Sequence, residues 1–150
     1  MTDIIGTTVK LDYDIQLDTV QHGFDGQYCW VQARAGAIPG NQPSVVMTMQ
    51  KLLLSGSDVF YALNEMRTDD MGKTWSGPFE HGQTLGRRKE PGGVEVVICD
   101  FTPHWHAASG TLLGTGHTAR YLGEELMPNP RPREIGYSVY EVEARAWTPW

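Results

Sequence analysis

The chain has 150 residues, 40% of them apolar and 20% charged, which is enough to bury a core and too apolar for a disordered segment. Its net charge of −6 gives no electrostatic reason to expect nucleic acid or an anionic membrane surface as a partner. No stretch approaches the roughly 20 apolar residues of a transmembrane helix. Residues 1–3 carry no apolar signal core, but a signal removed from a longer precursor would leave no trace, so the localisation stays unknown.

Cysteine and histidine spacing does not predict a metal centre. Cys29 and Cys99 form neither a CxxC pair nor a zinc spacing, and two cysteines alone do not establish a disulfide. His106 and His117 lack an HExxH or similar ligand spacing, so we interpret them as polar lining or as core histidines. We therefore expect no metal and no cofactor.

The first part of the chain reads as a series of strands. Residues 7–17 alternate apolar and polar, which predicts a strand with one wet face. Residues 34–40 form a short strand of small residues that ends in a turn. Ser44–Leu54 is apolar on both faces, as expected for a sheet packed between two others. Residues 58–67 form the next strand, and a short one follows Trp75.

A similar pattern recurs after a polar connector at residues 82–93. The second unit has an inner strand, a second and a third strand, a proline-broken loop, and a tryptophan-rich end. In chain order, the inner strand is Val94–His106, the second strand covers residues 112–121, the loop residues 122–133, the third strand residues 135–142 and the end residues 147–150. A four-stranded unit repeated nearly twice is typical of β-propellers. The fold class predicted is all-β and antiparallel, without helices.

The stretch Thr68–Trp75 predicts a tight turn between two strands. Asp70 can accept hydrogen bonds from the backbone of its own turn, and Gly72 supplies a positive φ. Thr74 restarts the strand, and Trp75 offers a large body that pins the turn to the sheet. An ordinary hairpin turn is the alternative. The spacing Thr-x-Asp-x-Gly-x-Thr-Trp resembles the Asp-box of sialidase-like β-propellers, which is a structural staple without a catalytic role.

The resemblance implies a six-bladed propeller of which this chain holds about two blades. Residues 28–81 correspond to the first blade and residues 94–150 to a truncated second blade. The strand within residues 1–20 is similar to one that closes such a ring by joining the last blade. The chain is then the N-terminal part of a longer propeller or one piece of an assembly. Further blades must come from a longer chain or from other copies, so the chain alone should not behave as a self-contained monomer.

Propeller geometry places the Asp-box at the end opposite the active site, and this rule selects two residues in the first blade. Arg34 opens the innermost strand, and residues 34–39 loosely resemble the sialidase Arg-Ile-Pro segment, whose arginine grips the sialic acid carboxylate. Asp58 lies in the region where the family carries its catalytic acid/base aspartate. A structural ion pair at Arg34 and a turn-capping role at Asp58 are the alternatives.

In the second blade the same rule selects substrate-binding candidates. Asp100 is expected at the start of the inner strand, Arg120 and Arg133 near the loop between the second and third strands, and His117 along the channel. Of these, Asp100, His117 and Arg133 complete the predicted substrate-binding set. The tyrosine nucleophile of the family, its partner glutamate and two more arginines would lie in later blades, so the chain alone does not hold a complete catalytic set.

The leading functional hypothesis is a part of a sialidase-like exo-glycoside hydrolase that acts on terminal, acidic sugars of glycans. It would act as an enzyme only when completed by the missing blades. One alternative is a non-catalytic Asp-box propeller that binds carbohydrate or protein. Another is a different carbohydrate-active enzyme on the same scaffold, because a fold does not fix a function.

Overall fold

A computed structural model describes residues 12–55 and 58–150 of the chain. These residues form two antiparallel β-sheets and no α-helix. A single 3₁₀ turn at Pro91–Gly93 lies between the sheets in sequence. Within this described part, no helix is long and apolar enough to cross a membrane. The predicted fold class, all-β with antiparallel sheets, is confirmed.

The first sheet contains four strands in sequence order, each paired with the next. The strands are β1 Tyr28–Ile38, β2 Ser44–Leu54, β3 Asp58–Thr68 and β4 Ser76–Glu80. As its apolar run predicts, β2 buries residues on both faces, including Val46 on one face and Met49 on the other.

The second sheet contains six strands in the order β10-β9-β7-β6-β5, and β8 pairs with β7 outside this path. The strands are β5 Arg88–Lys89, β6 Val94–His106, β7 Thr111–Leu122, β8 Glu125–Leu126, β9 Ile135–Glu141 and β10 Ala146–Trp147. Its long strands β6, β7 and β9 again follow one another in sequence and in space.

The two sheets pack through the first long strand of each. At Gly36 of β1 an added Cβ would lie 2.7 Å from the carbonyl oxygen of Pro103 in β6, so only glycine permits this approach. Phe101 and Trp147 cross edge to face with ring centroids 5.1 Å apart in the core between the sheets. Two apolar clusters form this core: Ile38, Val46, Leu63, Leu85, Ile98, Phe101, Leu112, Tyr140 and Trp147, and then Leu52, Leu53, Val59, Phe60, Val97, Cys99, Ala119 and Tyr121.

A buried carboxylate also joins the sheets. Glu65 of β3 accepts hydrogen bonds from the Tyr140 hydroxyl at 3.0 Å and from the Trp147 indole at 2.9 Å, both in the second sheet. His81 lies 3.0 Å from the same carboxylate. Each carboxylate oxygen therefore has a partner, which is what makes burial of the group tolerable.

Several predicted boundaries are wrong. Residues 12–17 are exposed and form no strand, while residues 1–11 of the predicted N-terminal strand lie outside the described part of the chain. The small-residue strand begins earlier than predicted, at Tyr28, so Arg34 lies within β1 and does not open it. Asp100 likewise lies in the middle of β6 and not at its start. The connector before β6 is not simply polar, because it contains β5 and the fully buried Leu85.

Candidate functional site

Two β-bulges lie opposite each other where β1 and β6 meet. The register of β1 shifts between Val31 and Arg34, where Gln32 has a φ of 56°, and that of β6 shifts next to Asp100, where φ is 53°. The Gln32 side-chain oxygen accepts a hydrogen bond from the Asp100 N–H at 2.7 Å, which joins the two bulges. Left-handed backbone at residues other than glycine is uncommon, and bulges redirect side chains near functional sites. Here the bulges redirect the chain beside Arg34 and at Asp100.

Arg34 and Asp100 form an ion pair across the two sheets. One terminal guanidinium nitrogen, Nη2, donates to Asp100 Oδ1. The side chains are 41% and 40% exposed, so solvent screens the pair and a ligand can reach it. Within the described residues the Nε and Nη1 groups of Arg34 have no hydrogen-bond acceptor, so they are free to donate to a ligand.

His117 lies on the other side of Asp100. Its Nδ1 atom is 3.6 Å from Asp100 Oδ2, and its Nε2 atom is 3.3 Å from the Cys99 sulfur. Cys99 on β6 and His117 on β7 are directly paired in the sheet, so the ladder itself fixes the distance between them.

The order Cys99–His117–Asp100 is that of a thiol triad, but Cys99 is not set up as a nucleophile. Its side chain is buried, and burial followed by the nearby Asp100 charge raises the pKa of the thiol to about 12. At neutral pH the thiol stays protonated and donates to the His117 carbonyl oxygen at 3.3 Å. Only a thiolate attacks or binds a metal efficiently, so Cys99 serves to position His117.

Asp58 and Arg133 are the remaining predicted site residues. The Arg133 charge lowers the pKa of Cys99 and the Asp58 charge raises it, after the larger effects of burial and of Asp100. Asp58 begins β3 with an exposed side chain, and its carbonyl oxygen accepts a hydrogen bond from the Tyr121 hydroxyl at 2.8 Å. Arg133 is exposed just before β9.

The structure therefore brings Arg34, Asp100 and His117 together beside Cys99. We call this group the Cys99 cluster; it consists of Arg34, Asp100 and His117 around Cys99. Asp58 lies outside the Cys99 cluster, because Arg34 pairs with Thr48, Thr48 pairs with Glu65, and Asp58 is seven residues before Glu65, roughly 20 Å along the strand at ~3.3 Å per residue. Arg120 is not part of the Cys99 cluster either. Its guanidinium is buried, binds Glu90 through two hydrogen bonds of 3.0 Å and binds Glu134 at 2.7 Å, which is a structural role.

The turn at residues 68–75 has its own set of hydrogen bonds at the far end of β3. Asp70 accepts bonds from the Thr74 hydroxyl at 2.6 Å, the Thr74 N–H at 2.9 Å and the Thr68 hydroxyl at 2.8 Å. Gly72 has a φ of 86° and donates its N–H to the Thr68 hydroxyl oxygen at 2.9 Å. Asp58 and Thr68 are the two ends of β3, so the turn lies roughly 33 Å from Asp58 at ~3.3 Å per residue. Arg34 lies nearer to the turn, because it pairs with Thr48 of β2, which pairs with Glu65, three residues before Thr68.

Trp75 follows this turn and is half-buried, with its indole N–H enclosed and unpartnered among the described residues. Within the described residues, the five residues of the predicted Asp-box make no hydrogen bond to Arg34, Asp100 or His117.

Sequence reasoning missed Gln32 and Cys99. Both act through contacts with residues distant in sequence, 68 positions away for Gln32 and 18 for Cys99. No glycine marks the left-handed backbone at Gln32, and a lone apolar cysteine in a strand looks like any core residue. Only the pairing of β6 with β7 could have shown that Cys99 lies beside His117. Predicting that pairing requires the position of the bulge at Asp100, which sets the register of the two strands.

The cluster combines one arginine and one histidine with one carboxylate, so it can bind an anion and also accept hydrogen bonds from hydroxyl groups. No group of three metal-ligating side chains occurs in the described part of the chain. Comparison with protein-family models, with curated proteins and with solved structures finds no match.

Proposed function

We propose that this chain forms part of a sialidase-like exo-glycoside hydrolase and that the Cys99 cluster contributes to its site for a terminal acidic sugar. The observation that carries the proposal is the state of Arg34. Its guanidinium is 41% exposed and held in place by Asp100, while two of its three nitrogens have no acceptor among the described residues. A fixed guanidinium with free N–H groups suits a sugar carboxylate.

The proposal treats the two sheets as neighbouring blades of a six-bladed propeller. Three features support it: the first sheet is a four-stranded meander, the long strands β1 and β6 face each other, and Asp70 accepts hydrogen bonds within its own turn. The Cys99 cluster then lies part-way along the strands, between the Asp-box end and the end marked by Asp58.

The residues of the Cys99 cluster have distinct roles in this proposal. Arg34 binds the carboxylate, and Arg133, exposed before β9, adds positive charge. Asp100 and His117 hydrogen-bond sugar hydroxyl groups from the opposite side. Asp58 lies roughly 20 Å along the strands from Arg34 at ~3.3 Å per residue, too far to exchange a proton with the glycosidic oxygen of a sugar that Arg34 holds, so it has no acid/base role at this site.

Hydrolysis requires a nucleophile that the described residues do not supply. Tyr121 is the tyrosine closest in the fold to Asp58, but it is fully buried and its hydroxyl is engaged with the Asp58 carbonyl oxygen. Burial raises its pKa, which further opposes a phenolate nucleophile. A further part of a longer chain, or another copy, must provide this group.

The engaged state of Tyr121 also favours a second candidate function, which is carbohydrate binding without hydrolysis. In that case Arg34 and its neighbours hold an acidic glycan, and no proton transfer is required. Binding and turnover must therefore be measured separately.

The test compares Arg34→Lys with Arg145→Lys by calorimetric titration with N-acetylneuraminic acid and with neutral N-acetylglucosamine. Arg145 is a matched control because it is an exposed arginine paired with an aspartate, Asp69, in another region. Loss of the planar fork at Arg34 should weaken the acidic sugar by on the order of tenfold, or ~1.4 kcal/mol. The neutral sugar and the control should change little. Equal binding of the acidic sugar by both variants would contradict the proposal.

A further inference from the structure

The β9 strand has an open edge over its first half. Both backbone groups of Val139 are bonded to Thr148. Its N–H donates to the Thr148 side-chain hydroxyl at 3.0 Å, and its carbonyl accepts from the Thr148 N–H at 2.9 Å. Alternate residues of a strand direct both backbone groups to the same side. Ile135 and Tyr137 therefore direct theirs away from β7, where no other described strand pairs with them.

The cause of the open edge is the path of the chain after Thr148. The last residue, Trp150, turns away from β9, donates its N–H to the Thr84 carbonyl at 3.1 Å and stacks on Arg88 with a 3.6 Å separation. A groove of about 820 Å³ lies beside the exposed part of β9, with Trp150 and Arg88 on its other wall.

The edge is also apolar, which distinguishes it from a well-protected edge strand. Ile135 is 79% exposed and Tyr137 is 64% exposed. Unpaired edges usually carry charges, prolines or bulges that prevent pairing with another chain. None of these three features occurs between Ile135 and Val139.

A second, independent segment of the chain has the complementary properties. Residues 12–18 read Asp-Tyr-Asp-Ile-Gln-Leu-Asp, with apolar side chains at every second position. Tyr13, Ile15 and Leu17 are 72%, 74% and 91% exposed, and the segment pairs with no described strand of its own chain. A segment with strand-like alternation that is unpaired in its own chain has the properties of a strand that adds to the edge of another sheet.

Charge matches the two surfaces. Residues 12–18 contain three aspartates and no basic residue. Arg131 and Arg133 precede β9, and Arg88 lines the groove together with Glu134, whose carboxylate is paired with Arg120. When Ile15 and its apolar neighbours lie on the same outer face as Ile135 and Tyr137, the aspartates of the docked segment point to the opposite face, which carries Arg88.

We propose that residues 12–18 of one copy dock as an additional strand on the β9 edge, beside Ile135 and Tyr137, of a second copy. The occupant is another copy because the segment lies unpaired in its own chain. Two chains that exchange this segment satisfy both open edges at once and form a closed, two-fold symmetric dimer. The interface does not involve Arg34 or Asp100, so it is independent of the proposed sugar site.

The test uses sedimentation of the 150-residue chain over micromolar concentrations, with hydrogen exchange of individual amides. The wild type should dimerise, and the Ile135 and Tyr137 amides should become protected as concentration rises. The double change Ile15→Asp with Leu17→Asp, and separately Tyr137→Lys, should weaken dimerisation by at least on the order of tenfold. Phe79→Lys is the matched control, since Phe79 is a 57% exposed aromatic residue on the edge strand β4 of the other sheet.

Three results would overturn the proposal. The first is a wild type that stays monomeric, including the case in which residues 12–18 dock on the β9 edge of their own chain. The second is a dimer that survives both kinds of variant, or that Phe79→Lys disrupts equally. The third is concentration-dependent protection of Ile135 and Tyr137 that persists in the double variant, because another part of the chain would then occupy the edge.

Discussion

Asp70 and Asp100 show how differently two carboxylates of one chain obtain their partners. Asp70 takes its hydrogen bonds from Thr68 and Thr74 in its own turn. Asp100 takes its partners from β1 and β7, through Arg34 and His117. The first arrangement follows from a local motif and the second from packing of the whole fold. Only Asp70 could therefore be assigned its geometry from sequence spacing.

The Asp70 turn predicts a specific dependence of stability on pH. The hydroxyl of Thr74, its N–H and the Thr68 hydroxyl lower the pKa of Asp70 to about 2 from the ordinary value of 3.8. Because the folded-state pKa is lower than the unfolded one, this contribution is fully present above pH 3.8 and is lost as pH falls towards 2. Asp70→Asn removes the titrating charge and should lower the melting temperature at neutral pH.

The measurement is the melting temperature of both proteins between neutral and acidic pH. The gap between wild type and Asp70→Asn should narrow as pH falls through the window between the two pKa values. Glu143→Gln, at an exposed carboxylate in another turn, is the control and should leave the melting temperature nearly unchanged. A difference in melting temperature that stays constant with pH would mean that the shape of the Asp70 side chain, and not its charge, stabilises the turn.

The strands were largely predictable, whereas their irregularities were not. Alternation and apolar runs located β2, β3, β6 and β7 because burial of one or both faces leaves a period in the sequence. The same alternation misled at residues 12–17, since a period of two shows that a strand can form and not that a partner is present. The bulge at Gln32 depends on its contact with Asp100, so no local pattern reports it.

The packing of β7 on β6 depends on the small residue Gly114. An added Cβ there would overlap the ring of Phe101, which is fully buried in the core between the sheets. The ring cannot move without displacing Trp147, whose centroid is 5.1 Å away. Gly114→Ala should therefore reduce the free energy of unfolding by about 1–3 kcal/mol through overpacking.

Urea unfolding of Gly114→Ala checks this, with Gly40→Ala as the control. An added Cβ at Gly40 meets nothing closer than the Gln42 carbonyl at 3.5 Å, which is ordinary contact. Gly40→Ala should change the free energy of unfolding by less than roughly 1 kcal/mol. If both changes cost the same, loss of glycine flexibility and not the Phe101 contact would be responsible.

At the scale of the whole molecule, buried polar bonds join the two sheets in addition to the apolar core. Gln50 of β2 donates to the Ile98 carbonyl of β6 at 2.9 Å, and Glu65 accepts from Tyr140 and Trp147 of the second sheet. A buried polar group that loses its partner becomes costly, so separating the sheets breaks these bonds together. The two sheets should therefore unfold as one cooperative unit.

Trp147→Phe tests this cooperativity, because it keeps an aromatic side chain in the core and removes the N–H that binds Glu65. Loss of this hydrogen bond to a charged group leaves that oxygen of Glu65 with His81 as its remaining partner and should reduce the free energy of unfolding by about 1–3 kcal/mol. Since Glu65 belongs to the first sheet and Trp147 to the second, the amides of β2 and of β7 should lose hydrogen-exchange protection by the same free energy. Trp30→Phe, at a half-buried tryptophan that faces Lys51, should leave both unchanged. Loss of protection in β7 with β2 unaffected would show that the second sheet opens alone and that Glu65 does not couple the two.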